Sequence, residues 1–298
     1  DLFSGNDGGI YFSQNGGKTW INISNGIQNS QITKMSVAQT VQNMSTQGYQ
    51  DNGSAQQNRD RFYTYYGGDG MDCAVDPTDE KYVYGSYVMG VIYRCQDRKN
   101  VVQIGSNGSN GINEGGGWLT PFVLQEGNPN RMFAGYSNIW RCDSVKKASG
   151  ITFTKISTGF PGTVQNIKNS IAKNSILYVI RGDGKLFRSN NVNAASPTWT
   201  DISANIPVGV TLRAIETHPK DSNVIYMAGN TNLYKSTDQG GSWTAIGNFG
   251  NSAPISGFNY GIINCLKYDT SSIYEEIYIG SDRGVYVYLN GSSGAPGI

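Results

Sequence analysis

A short pattern centred on an aromatic side chain returns along the chain, and its spacing constrains the fold more than any other feature. GGIYFS (8–13), GVIYRC (90–95), NIWRCD (138–143), KLFRSN (185–190), NLYKST (232–237) and GVYVYL (284–289) align on Tyr11, Tyr93, Trp140, Phe187, Tyr234 and Tyr286. The steps 93→140, 140→187 and 187→234 are each 47 residues, and 234→286 is 52. The 82 residues between Tyr11 and Tyr93 hold one further unit, whose equivalent position falls near Ala55. A fixed period of 40 to 50 residues marks a repeat architecture in which each unit buries its apolar faces against its neighbours.

Each unit contains the same four segments, alternating or β-branched as strands require. Between 211 and 247 they read LRAIETHP, VIYMAG, NLYKST and SWTAIG, strands A to D. Four antiparallel strands per period predict a β-propeller blade. The expectation is an all-β propeller of six to seven four-stranded blades with incomplete terminal blades, forming one domain over 1–298. Its units span about 1–24, 31–66, 70–104, 118–157, 164–203, 211–247 and 261–289. The first unit opens at strand B and the last closes after strand C, so the chain is expected to be part of a longer protein.

Composition agrees and excludes several function classes. The 39 Gly among 298 residues are dispersed among Tyr, Ile, Val, Ser and Thr, as turns between short strands require. Lys+Arg 23 against Asp+Glu 22 leaves +1, so no broad basic field exists for nucleic acid. No run approaches the eighteen or so apolar residues of a spanning helix. Cys73, Cys95, Cys142 and Cys265 follow no CxxC spacing, and with one His a zinc site is not expected. Cys95 and Cys142 occupy the position of Ser13, Ser189 and Ser236, which predicts free, packed thiols. His218, in an A–B loop, reads as a turn residue.

The C–D turns repeat too. STDQGGSW (236–243), SQNGGKTW (13–20) and the stretched 189–199 resemble the Asp-box, the bacterial neuraminidase repeat S-x-D-x-G-x-T-W. Asp238 is expected to accept turn N–H groups, Gly240 and Gly241 to take positive φ, and Trp243 to pack beneath the turn. Such a turn builds the fold and is not itself a site.

Loops of a propeller alternate between its ends, so the B–C turns and D–A connections should share one face. Asp7, Asp51, Asp183 and Asp282 fall in B–C turns, and Asp69 in the D–A connection YYGGDGMD. Asp282, Asp7, Asp51 and Asp69 would then form an acidic arc at one end of the central channel. Asp-Gly and Asn-Gly pairs are also what two-residue hairpins prefer, so each Asp alone reads first as a turn residue. QDNG and GGDG depart from the plain repeat, however, and lie beside the aromatic run RFYTYY. Tyr65, Tyr66, Glu114 and Trp118 complete the candidate ligand-binding set, because carboxylates beside exposed rings suit a saccharide. Asp7, Asp69 and Asp282 are the candidate catalytic carboxylates. No metal or cofactor is expected, with calcium in the acidic arc the open alternative.

NDGGIY, NGGKTW, QDNGS, GGDGMDC, VDPTDEKYVYGS, GGWLTPFV, NPNRMFAGYSNIW and SDRGVYVY together resemble large secreted or cell-surface Asp-box propeller proteins of Bacteroidota, of the kind exported by type IX secretion. More distantly the chain looks like sortilin-type propellers and the family 74 glycoside hydrolases. The resemblance implies a secreted or cell-surface location and a binding or adhesion role toward a glycan or protein partner. For a family 74-like polysaccharide hydrolase it would map the first catalytic acid onto Asp7, one residue short of that motif, with no clear second acid. A structural spacer is the third alternative. Sialidase chemistry is not expected, because Arg94, Arg141 and Arg188 follow the repeated aromatic and look structural.

Overall fold

The computed structural model describes residues 1–6, 9–26, 30–160, 162–248 and 261–290. Seven antiparallel sheets follow one another along the chain without exchanging strands. Blade 1 (Leu2–Asn6, Gly9–Ser13, Ile21–Asn22) and blade 7 (Ile263–Tyr268, Glu275–Ser281, Gly284–Asn290) have three described strands, and blades 2 to 6 have four. The protein is a seven-bladed β-propeller with incomplete terminal blades. The inner, first strands of blades 2 to 7 are Ile32–Val37, Cys73–Val75, Phe122–Gln125, Val164–Asn169, Leu212–Thr217 and Ile263–Tyr268, and each adjoins the next.

The second strands explain why parts of the sequence read as unbroken apolar runs. Leu177–Arg181 and Ile225–Gly229 are buried at every residue, because a blade inside the ring has a neighbour on both faces. Burial of both faces removes the polar half of the usual strand alternation. Five apolar clusters result, one at each junction from blades 2–3 to blades 6–7. Blade 1, in contrast, leaves Leu2, Phe3, Ile21 and Ile23 exposed.

Arginines following the repeated aromatic tie blades 3, 4 and 5 each to the next. Arg94 Nη1 donates to the carbonyls of Val145 (2.7 Å) and Lys147 (2.6 Å), and Arg141 Nη1 to those of Val192 (3.0 Å) and Ala194 (2.7 Å). Arg188 Nη1 reaches Gln239 O at 2.8 Å. Each guanidinium thus grips the C–D turn of the following blade, the structural role the repeat predicts.

Those turns close on side-chain hydroxyls and carbonyls. Ser236 Oγ donates to Asp238 Oδ1 (2.7 Å), which also accepts Ser242 N (2.8 Å). The Ser236 and Ser242 hydroxyls hold the Asp238 carboxyl down at about 2. Asn15 and Asn191 take the same place in blades 1 and 5, accepting Thr19 N at 3.0 Å and Thr198 N at 2.9 Å. An amide oxygen serves as well as a carboxylate here. The positive φ angles fall on Gln239 (+60°) and Gly240 (+87°), one residue earlier than the expected Gly240 and Gly241. Gly240 is the constrained one, since a Cβ there would meet Ile202 Cδ1 at 2.8 Å. Cys95 and Cys142 are buried and free at the serine position, Cys73 is buried and free, and Cys265 is free and exposed. His218 Nδ1 accepts Lys220 N (3.1 Å) and Asp221 N (3.0 Å), a turn role in agreement with its place in the repeat.

Candidate functional site at the channel mouth

Hydrogen bonds between loops put the B–C turns and D–A connections on one face. Met89 N donates to Gly117 O (3.1 Å), Gly182 N to Thr163 O (2.9 Å) and Asn230 N to Thr211 O (3.3 Å). The candidate residues on this face separate into two groups. One group holds the loops together, and the other faces open space.

Asp7 lies outside the described residues. Asp69 and Asp51 do come together, with Asp69 Oδ1 accepting Asp51 N at 2.9 Å and Asp51 in a left-handed turn conformation (φ +63°). The unusual QDNG and GGDG motifs meet there by close backbone crossing. A Cβ on Gly70 would stand 2.0 Å from the Gly53 carbonyl oxygen, and one on Gly48 2.1 Å from that of Met71. These glycines are demanded by packing, since a real Cβ cannot approach that closely. Asp282 Oδ1 accepts Ile262 N at 2.8 Å and fastens the start of the inner strand of blade 7. Glu114 turns inward to Asn138 N (2.9 Å), Trp140 Nε1 (3.1 Å) and Lys155 Nζ (2.8 Å). Burial raises its carboxyl, but the bonds from Lys155, Trp140 and Asn138 outweigh that and hold it below the usual range. Tyr65 shares a 2.9 Å hydroxyl bond with Thr46, and burial raises its phenol. Tyr66 stacks on Tyr93 with ring centroids 3.9 Å apart.

Trp118 is different. It is 54% exposed, and it stands on the wall of a cavity of about 850 Å³ at the mouth of the channel. Lys34, Gln165, Asn166, Asp183, Arg213 and Asn264 contribute the polar lining. Two cations and three amides therefore face one acid, whereas Asp51, Asp69 and Asp282 belong to the surrounding loops.

A repeated irregularity of the inner strands aims these side chains. The ladder skips one residue between Ile32 and Lys34, Val164 and Asn166, Leu212 and Ala214, and Ile263 and Cys265. The unpaired residues are Thr33, Gln165, Arg213 and Asn264. By register Met71 holds the same place in blade 3 and Thr120 in blade 4; Met71 is buried, and Asp72 follows it. A bulge turns its extra residue out of the ladder, which is how strands present side chains at sites. Thr33 and Thr120 bond to backbone carbonyls, with Thr33 Oγ1 2.7 Å from Gly70 O and Thr120 Oγ1 3.1 Å from Gly117 O. Asp72 accepts Cys73 N (2.8 Å) and Phe122 N (3.2 Å). Burial raises the Asp72 carboxyl, while the nearby Lys34 charge and these backbone bonds oppose that rise. Gln165, Arg213 and Asn264, on consecutive blades, are exposed, and their side chains bond to no other described residue.

Sequence reasoning found Trp118 but missed Lys34, Gln165, Arg213 and Asn264, because it sorted loops and these residues lie within strands. The available signal was a polar residue directly after the first apolar residue of strand A in successive units. Among the described residues no three His, Cys, Asp or Glu side chains converge as a metal site. No described helix is long and apolar enough to cross a membrane.

No family model matches the chain, and no curated protein does. Solved structures do. An ancestral GH74 enzyme aligns with a TM-score of 0.66 at 10% identity over 90% of this chain and 38% of its own. The extracellular domain of a protein assigned as a one-component system from B. thetaiotaomicron aligns with a TM-score of 0.65 at 14% identity over 97% and 37%. The Cps50 (Swd1) β-propeller domain of Myceliophteria thermophila gives 0.61 at 9% identity over 87% and 84%. This chain thus spans less than two fifths of the length of the first two. At such low identities the likeness carries the fold alone, and the chain is similar to propellers of widely different kinds.

Proposed function

We propose that the protein is an exported or cell-surface binding module that takes a glycan at the channel mouth of its B–C face. The observation that carries this reading is the exposed Trp118 ring opposite unpartnered amide and guanidinium side chains in one open cavity. An indole stacks on the apolar face of a pyranose, and amides exchange bonds with its hydroxyls. Unpaired side chains aimed into a cavity leave hydrogen-bonding capacity that a ligand can complete. The GH74 neighbour and the extracellular neighbour are consistent with glycan recognition outside the cell, and the Asp-box resemblance points the same way.

Binding is preferred to hydrolysis because, among the described residues, the cavity presents a single exposed carboxylate, Asp183, where glycoside hydrolysis ordinarily needs a pair. Asp72, the other acid of this region, spends its oxygens on Cys73 N and Phe122 N. Titration calorimetry against soluble oligosaccharides tests the reading, with Trp118→Ala as the variant. Loss of a stacked ring predicts affinity weakened at least tenfold with an unchanged melting temperature. Binding untouched by Trp118→Ala would refute the site, and release of reducing ends from a bound polysaccharide would replace binding by hydrolysis.

A further inference from the structure

We infer that the glycan is anionic, its carboxylate or sulfate held by Arg213 with Lys34 as a second, weaker contact. This rests on the reading of the channel mouth as a glycan site. In a chain with only 15% charged residues, the mouth gathers two cations, and Arg213 has no ion-pair partner among the described residues. The strand-C guanidiniums, Arg94, Arg141 and Arg188, are spent on backbone carbonyls. Arg181 is likewise spent, on Ser137 O at 3.1 Å. Arg213 alone is turned by a strand bulge into the open cavity.

Its neighbours fit the rest of such a ligand. The bulge places Gln165 on the preceding blade and Asn264 on the following one, so the guanidinium sits between two amides at the same level of the channel. A guanidinium presents a planar fork that binds carboxylate or sulfate through two parallel N–H bonds, while amides suit the adjoining hydroxyls. Lys34, in blade 2, lines the same cavity, but its charge is partly answered by Asp72. Arg213 is therefore the principal anion contact. Asp183 faces Arg181 at 4.0 Å and lies against Lys185 N at 3.3 Å, which moderates its repulsion toward an anion.

The experiment compares three matched oligosaccharides by titration calorimetry with the full chain: an oligogalacturonate, its neutral methyl ester, and a sulfated derivative of an otherwise uncharged oligomer of similar length. At least one anionic probe is expected to bind ten times or more tightly than the neutral ester, with affinity falling as salt rises. Arg213→Gln should abolish that preference while changing affinity for the ester less than twofold, and Arg213→Lys should restore part of it. Because Arg213 is exposed and unbonded, an unchanged melting temperature accompanies these effects. Tight binding of the sulfated probe alone would identify sulfate as the anion, and of the oligogalacturonate alone, carboxylate. Equal affinity for ester and acid, weakened by Trp118→Ala but not by Arg213→Gln, overturns the anionic inference and leaves the glycan site standing. Failure of every probe to bind, with a folded protein, overturns the glycan reading itself.

Discussion

At the scale of single residues, the fold uses its polar groups for turns before it leaves any for function. His218 shows this with a testable consequence. Its Nδ1 accepts two backbone N–H groups and must be unprotonated to do so. Burial pushes the imidazole below its ordinary 6.5, with the nearby Glu275 and Asp221 charges opposing. A folded-state value below the unfolded one means that the contribution to stability is complete above about 6.5 and is lost as pH falls through the folded-state value. As the only His in the chain, it can be isolated cleanly. Urea midpoints measured from pH 7.5 to 5 should fall for the wild type more steeply than for His218→Asn, and parallel curves would contradict this account. Asp51, Asp69, Asp282 and Glu114 illustrate the same economy. Their types and turn positions were legible in the sequence, but their hydrogen-bond partners come from other loops, and single-sequence spacing does not report those.

At the scale of elements, the period of 47 residues made the strands and blades readable, because aromatic positions and apolar alternation are local properties. The bulges were not readable in that way. A residue slipped out of register at Gln165, Arg213 or Asn264 depends on where the paired strand begins and ends. The glycines of GGDGMD were conspicuous, yet what they signal is backbone crossing between neighbouring loops, which appears only once the blades are assembled. The arginine after the repeated aromatic is the element-level bond between consecutive blades from 3 to 6. Arg141→Met removes two charge-assisted bonds to Val192 and Ala194 and leaves those carbonyls to find water, at an expected cost of about 2–3 kcal/mol. Chemical denaturation should show that loss, and a variant within about 0.5 kcal/mol of wild type would place the junction's strength in the apolar cluster alone.

At the scale of the whole molecule, a propeller separates its turns onto two faces and surrounds one axial channel with inner strands. That geometry converts a repeat into a site. Equivalent positions on successive blades converge at the channel mouth, so a change of side chain at one repeated position alters the ligand and leaves the blade intact. Of the six equivalent positions, Thr33 and Thr120 are tied to backbone and Met71 is buried, and the other three, Gln165, Arg213 and Asn264, are free to meet a ligand. The opposite face carries the serine-based C–D turns and the His218 turn, where Asp238 and His218 are engaged by their own turns. The central claim is that ligand binds on the first face at the channel mouth. Hydrogen exchange followed by mass spectrometry, with and without a saturating oligosaccharide identified by calorimetry, tests it most directly. Protection confined to peptides covering 32–35, 116–120, 162–166, 181–185, 209–214 and 262–266 is the predicted result. Protection centred on the turns at 76–80, 218–223 and 236–243 would contradict it.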